Sequence, residues 1–143
     1  MGCDIHLYLE RKIAVKGTPK WVGLGEVRGT LSTRNYGLFA ELASVRGQSS
    51  RNMHPLGIPA DASELVAFSC DDYGQDGHSH SWCTVREMVL AYAIAKGTAD
   101  ELVVAALEND TRCVVRQFEK LTEFWMNNDD SAHEYRFVFW FDN

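Results

Sequence analysis

Apolar and polar residues alternate at the start of the chain. From Cys3 to Val15, isoleucine and leucines at every second position predict a strand with one buried face. Turn chemistry at 15–20 and a second extended run, Trp21 to Val27, predict a hairpin, in which Gly23 and Gly25 weaken the second strand or admit a bulge.

Near the other end of the chain, Tyr135 to Phe141 is apolar on both faces. A strand of this kind is normally central in its sheet or covered on both sides. We therefore expect it to pair beside the N-terminal strand, which would bring Asp142 near the strand that carries Asp4 and His6.

Helical spacing marks the first half of the middle region. Asn35 can cap a helix from Tyr36 to Arg46, and Gly47 supplies its stop. The polar, proline-bearing stretch from Gln48 to Ala60 predicts a loop. Asp61-Ala-Ser-Glu64 has the form of an N-terminal cap before a short helix.

An acidic, glycine-bearing loop is predicted from Asp71 to Gly77, and it leads to two histidines. Thr84 and Glu87 then match the reciprocal capping pattern of a helix that ends at Lys96-Gly97. Two more helices are predicted, one starting at Thr98 and one marked by apolar positions from 114 to 125.

The order strand, strand, helix, loops, several helices, strand predicts an α+β fold. In it, an antiparallel sheet contains both the N-terminal and the C-terminal strands and packs against several helices. The 143 residues fit a single domain, 1–143.

The composition limits the kinds of partner that the protein is expected to bind. The formal charge is −6 and the 14 basic residues are scattered, so we expect no binding to duplex nucleic acid. No stretch reaches the roughly 20 apolar residues that cross a bilayer, so no membrane partner is expected. Four cysteines without a CxxC pair are typical of reduced thiols in a cytoplasm. The aromatic content is compatible with a homodimer.

Two pairs of polar residues share the same spacing. Asp4 and His6 are two residues apart, and so are His78 and His80. In extended backbone each pair points one way, and together the four offer the nitrogen and oxygen donors of a zinc or manganese site. The alternative is structural: a solvent-facing strand and local hydrogen bonds that fix a loop.

His78 and His80 are also the candidate catalytic residues. They precede the helix that follows Thr84, whose N-terminus attracts anions such as phosphate. Its dipole would disfavour imidazolium and keep a histidine neutral as ligand or base. With a metal the site could hydrolyse a phosphoester, and without one the two rings could serve as base and acid.

Arg34, Asn35 and Tyr36 form a third candidate segment, for ligand binding. An arginine fork can hold a phosphate, and a phenol ring can stack on a base. The alternative assigns Asn35 to capping, Tyr36 to packing and Arg34 to solvent.

Four segments resemble those of small proteins encoded in bacteriophage and prophage genomes: Met1-Gly-Cys-Asp-Ile-His6, Arg34-Asn-Tyr36 through Leu38-Phe39-Ala40, His78-Ser-His-Ser-Trp82 and Phe139-Trp-Phe-Asp-Asn143. The resemblance implies a phage protein that works in the cytoplasm of a bacterial host. It implies no activity and no functional residue.

These observations predict a metal-dependent phosphoesterase acting on a nucleotide or cyclic nucleotide, in a setting that suggests an action against host defence signalling. One alternative is a non-catalytic protein that sequesters the same small phosphorylated ligand. Another is an inhibitor of a host protein, in which the histidine pairs are structural.

Overall fold

The computed structural model describes residues 2–97 and 134–143. They form a four-stranded antiparallel sheet with helices on both faces. The strands are β1 (Asp4–Val15), β2 (Thr18–Glu26), β3 (His78–Thr84) and β4 (Glu134–Asp142). The helices are α1 (Tyr36–Ala43), α2 (Glu64–Tyr73) and α3 (Val85–Ala95), with short 3₁₀ turns at Thr30–Ser32 and Gly74–Asp76.

The strand order is β2-β1-β4-β3, so the N-terminal and C-terminal strands are the two central ones. The α+β fold is therefore confirmed, as are the first hairpin and the pairing of β4 beside β1. The predicted bulge is also present: the register shifts between Leu9 and Glu10, which pair with Gly25 and Gly23.

The two faces of the sheet are covered by different helices. Ile5, Leu7 and Leu9 share one apolar core with α1 and α3. On the opposite face, Tyr8 and Trp140 pack with Val66 of α2. β4 has layers on both sides, and this burial accounts for its continuous apolar sequence.

Helix α1 is shorter than its sequence pattern predicts. It ends at Ala43, because Ser44 adopts the left-handed conformation (φ 53°) and its N–H bonds back to the carbonyls of Ala40 and Phe39. Gly47 is therefore not the stop. The sequence gives no sign of this end, since serine seldom takes a left-handed backbone.

Helix α2 begins later and ends later than predicted. Its N-cap is Ser63, whose hydroxyl accepts from the N–H of Val66, while Asp61 contacts Arg136 instead of capping. At the other end α2 runs to Tyr73, so much of the predicted 71–77 loop is helical. Contacts with residues distant in the sequence determine where α2 begins and ends, and a local sequence pattern does not reveal such contacts.

Helix α3 follows its sequence pattern closely. Thr84 and Glu87 form the complete capping box, and the helix ends with Lys96 as its C-cap. The helices predicted from Thr98 and over 114–125 lie outside the described residues. None of the described helices is long and apolar enough to cross a membrane.

Candidate functional site

Polar side chains gather where β1 begins and β4 ends. Asp4 pairs with Asp142 across the two central strands, and the Asp4 N–H donates to Asp142 Oδ1 at 3.3 Å. The predicted position of Asp142 near the strand that carries Asp4 and His6 is therefore confirmed. We call this group the strand-end cluster; its members are Asp4, His6, Arg34, Tyr73 and Asp142.

Both ring nitrogens of His6 are engaged. Nε2 lies 2.9 Å from Asp142 Oδ2, and Nδ1 lies 2.8 Å from the hydroxyl of Tyr73. A carboxylate only accepts, so Nε2 carries the proton, and in the neutral ring Nδ1 accepts from Tyr73. The result is a carboxylate, imidazole and hydroxyl chain of the kind that orients a base toward a hydroxyl.

The hydrogen-bonded side chains are partly buried and remain in contact with solvent. The side chain of His6 is 13% exposed and that of Asp142 is 29% exposed. Glu26 Oε1 lies 4.0 Å from His6 Nδ1, so a second carboxylate stands beside the ring. Burial first, and then the charges of Asp142 and Glu26, raise the pKa of Tyr73. Its phenol therefore stays protonated near neutral pH.

Tyr73 is the functional candidate that sequence reasoning missed. It belongs to the last turn of α2, in a stretch for which a loop was predicted. The available signal is helical spacing: Val66, Cys70 and Tyr73 follow at i, i+4 and i+7, and all three face the second core.

Arg34 lies in the cluster, but it is paired. Its Nε and Nη2 both donate to the carboxylate of Asp4, the latter at 2.9 Å. The hydrogen bond from Arg34 lowers the pKa of Asp4. The guanidinium also lies against the Cα of Gly2, where a Cβ would stand 2.6 Å from Arg34 Cζ.

Asn35 and Tyr36 lie at the start of α1, and Tyr36 contacts the N-terminal segment at Cys3. The side chain of Asn35 accepts from the Leu38 N–H at 3.1 Å and so caps α1. The Tyr36 hydroxyl accepts from the Cys3 N–H at 3.4 Å, and the guanidinium of Arg46 lies 5.8 Å from the ring centroid.

His78 and His80 lie in β3 and not in a loop at the start of a helix. Ser79 has a φ of 52° and the register shifts between His78 and Ser81. This kink sends the two rings to different neighbours, and their predicted common orientation is wrong. His78 lies beside Phe141 of one core, whereas His80 lies beside Trp140 of the other.

The pKa of His80 is lowered, but by a different cause from the helix dipole that the sequence predicted. Burial, with a smaller contribution from the charge of His78, lowers the pKa of His80. Helix α3 starts only at Val85, too far along β3 for its dipole to account for the shift. Neither Nε2 of His78 nor that of His80 has a hydrogen-bond partner within the described part of the chain.

The two spaced pairs approach each other only in part. The rings of His6 and His80 flank Trp140 on β4, with centroids 6.1 and 6.0 Å from it. In residues 2–97 and 134–143, no three His, Cys, Asp or Glu side chains form a group that could hold a metal ion. Asp4 and His6 are instead bonded to protein partners.

A hollow of about 630 Å³ opens beside the cluster. We call it the Arg46 hollow. It is lined by the turn after α1, the kink of β3 and the end of β4: Ser44, Val45, Arg46, His78, Ser79 and Asn143.

No protein-family model, curated protein or solved structure matches this chain.

Proposed function

We propose that the chain is a phosphoesterase acting on a nucleotide or cyclic nucleotide, with His6 as the group that moves protons. The hydrogen-bonded chain from Asp142 through His6 to Tyr73 is the observation that carries this proposal. Asp142 fixes the tautomer and would stabilise the imidazolium that forms during reaction. We therefore assign the proton transfer to His6, whereas the sequence pattern favoured His78 and His80.

The proposed reaction adds water across one phosphorus–oxygen bond. As the water oxygen attacks phosphorus, its proton passes through the Tyr73 hydroxyl to His6 Nδ1, and the protonated ring returns a proton to the leaving oxygen. A phenol that keeps its proton near neutral pH suits this transfer better than direct attack by phenolate.

The test is hydrolysis of bis(p-nitrophenyl) phosphate and of a panel of cyclic nucleotides. His6→Gln and Tyr73→Phe should each lower kcat by about 100-fold or more, which is the usual contribution of acid–base catalysis. His54→Gln is the matched control, because His54 is exposed and belongs to neither the cluster nor the hollow. Full activity in a folded His6→Gln variant would end the proposal.

A zinc or manganese ion would give a different route to the same hydrolysis, because a metal bound by His6 would take the place of its Asp142 or Tyr73 partner. The sequence offers Asp4, His6, His78 and His80 as donors, although Asp4 and His6 would have to exchange their present partners for the metal. Elemental analysis of the purified protein, before and after dialysis against a chelator, tests this part. We expect His80→Ala to lower the metal content and the activity together if the ion is required.

Sequestration without turnover is the second candidate function. It is favoured by the lining of the Arg46 hollow, which includes none of His6, Tyr73 and Asp142. A ligand held in the hollow could thus remain out of reach of the hydrogen-bonded chain. Incubation with a nucleotide, heating and analysis of the released molecule separates the two: an intact nucleotide means capture, and an altered one means catalysis.

The biological setting belongs to the same proposal. The resemblance to phage and prophage proteins supports a role in a bacterial cytoplasm, where removal of a nucleotide signal would blunt host defence. Expression of the chain in bacteria carrying a nucleotide-signalled defence system should raise phage yield, and the His6→Gln variant should not.

A further inference from the structure

Backbone strain is concentrated around the Arg46 hollow. Within the described residues, five that are not glycine have a positive φ: Lys16, Ser44, Arg46, Asn52 and Ser79. Three of these five line this one hollow. A positive φ costs free energy for any residue with a Cβ, and such residues gather at binding and catalytic sites. The strain therefore points to a use for the side chains at these positions.

Part of this strain has a structural role. Ser44 closes α1 with its N–H, and its hydroxyl donates to the Met53 carbonyl at 2.6 Å. Arg46 and Ser79 close no helix. The Ser79 hydroxyl lies 3.0 Å from His78 Nδ1, so the kink sets a hydroxyl and an imidazole side by side at the wall of the hollow.

The chemistry of the lining favours an anion. It combines a guanidinium, an imidazole, two hydroxyls and an amide, and none of the described residues that line it is acidic. At the negative end of α1, the carbonyls of Ala40 and Phe39 accept from the N–H groups of Ser44 and Val45.

The guanidinium of Arg46 is held in place at the hollow. Its Nη2 donates to Asn143 Oδ1 at 3.3 Å and to the Gly2 carbonyl at 3.4 Å, while the Tyr36 ring lies beside it. Arg34, the arginine that sequence reasoning assigned to phosphate binding, has its fork on Asp4 instead. Arg46 lines this hollow, and Arg34 does not.

We propose that the Arg46 hollow is a binding site for the terminal phosphate of a small nucleotide, held by Arg46 and by the Ser79 hydroxyl. A volume of about 630 Å³ lies in the range of small-molecule sites and exceeds what a bare phosphate fills. This inference rests on the proposed function for the class of ligand only. It requires no turnover and no metal.

Isothermal titration calorimetry measures the affinity of the hollow, with adenosine 5′-monophosphate and, separately, with inorganic phosphate as the ligand. Arg46→Gln should weaken binding of the nucleotide by about tenfold or more, as expected for loss of a charge-assisted hydrogen bond. Arg86→Gln removes the same charge from an exposed position on α3 and should change the affinity by less than about twofold. Equal affinities in these two variants would overturn the inference.

Ser79→Gly separates a binding role from a structural one. Glycine relieves the positive φ, so the midpoint of thermal unfolding should stay the same or rise, while nucleotide affinity should fall by about threefold or more. Unchanged affinity in this variant would contradict the assignment of the Ser79 hydroxyl. Arg46→Lys, which keeps the charge and loses the fork, provides a further folded variant and should bind with intermediate affinity.

The failure of this inference can be told apart from failure of the proposed function. Nucleotide binding that depends on Arg46 in a chain without hydrolytic activity would support the hollow and reject catalysis. The opposite outcome is hydrolysis that depends on His6 and is unchanged by Arg46→Gln, with no measurable nucleotide binding at the hollow. That result would support catalysis and reject the hollow as a binding site.

Discussion

At the residue scale, His80 shows how burial sets the charge of a side chain. The ring lies against Trp140, and its pKa is lowered from 6.5 mainly because burial disfavours the charged form. In the unfolded chain the same ring takes up a proton near its usual pKa. Between that value and the lower folded pKa, the unfolded state therefore binds more protons than the folded state.

This difference predicts that acidification destabilises the fold through His80. The free energy of unfolding should fall as the pH decreases below about 6.5, with a slope of at most about 1.4 kcal/mol per pH unit from this group. Urea unfolding measured between about pH 7.5 and about pH 5.5 checks it.

His80→Gln should show a smaller loss of stability over this range than the parent chain. His54→Gln, at an exposed position, should retain the parent dependence. An unchanged pH dependence in His80→Gln would show that other groups account for the acid loss.

At the element scale, a buried ionic network anchors α2 to the sheet. Arg136 donates to Glu10 at 2.6 Å and to Asp61 at 2.9 Å, while Glu10 also accepts from the Ser63 N–H at 2.6 Å. The guanidinium lies 4.0 Å from the ring centroid of Trp21. Because Ser63 caps α2, this network fixes the start of the helix whose last residue, Tyr73, reaches His6.

Arg136→Met should therefore be strongly destabilising. It leaves Glu10, which is fully buried, without its charge partner, and the free energy of unfolding should fall by about 3–5 kcal/mol. Denaturant unfolding with a constant m-value measures the change.

Two further variants make this prediction specific to the buried pair. The double variant Glu10→Gln with Arg136→Met removes both charges and should recover much of the loss. Lys12→Met breaks a more exposed ion pair to Glu134 and should cost less than about 1 kcal/mol. Equal losses in Lys12→Met and Arg136→Met would contradict the role given to the network.

At the scale of the whole molecule, the fold depends on joining the two ends of the chain. β4 lies between β1 and β3, and its residues from Arg136 to Phe141 are buried. Five of these are large apolar side chains that contribute to the two cores. Without β4, β3 would lose its strand partner and both cores would open to water.

A chain lacking residues 134–143 should accordingly fail to fold, as seen in near-ultraviolet circular dichroism. Adding a peptide with the sequence of β4 should restore the signal, because antiparallel pairing and burial of its aromatic side chains favour association. A peptide of the same composition in scrambled order is the control. A native spectrum from the shortened chain alone would show that β4 is dispensable.

Local patterns were sufficient where the deciding interaction lies within a few residues or repeats with a strand or helix period. Continuous burial in β4 and the Thr84–Glu87 capping box are of this kind, and the structure confirms both. β1 also forms where its alternation predicts a strand, but the prediction of a single buried face is wrong for residues 7–10, which are all buried because helices cover both faces of the sheet there. The α+β arrangement followed from them. The meeting of Asp4 and His6 with Asp142 followed from pairing the two terminal strands.

Contacts between residues distant in the sequence determined the features that local patterns did not predict. The ends of α2 depend on partners such as Glu10, 53 residues before Ser63, and the bond from Tyr73 to His6 spans 67 residues. Likewise the kink at Ser79 turns His78 and His80 to different cores. The sequence determined which strands form and which polar groups are carried at their ends. Only the tertiary structure determined their bonding partners, because hydrogen bonds and burial depend on which distant segments pack together.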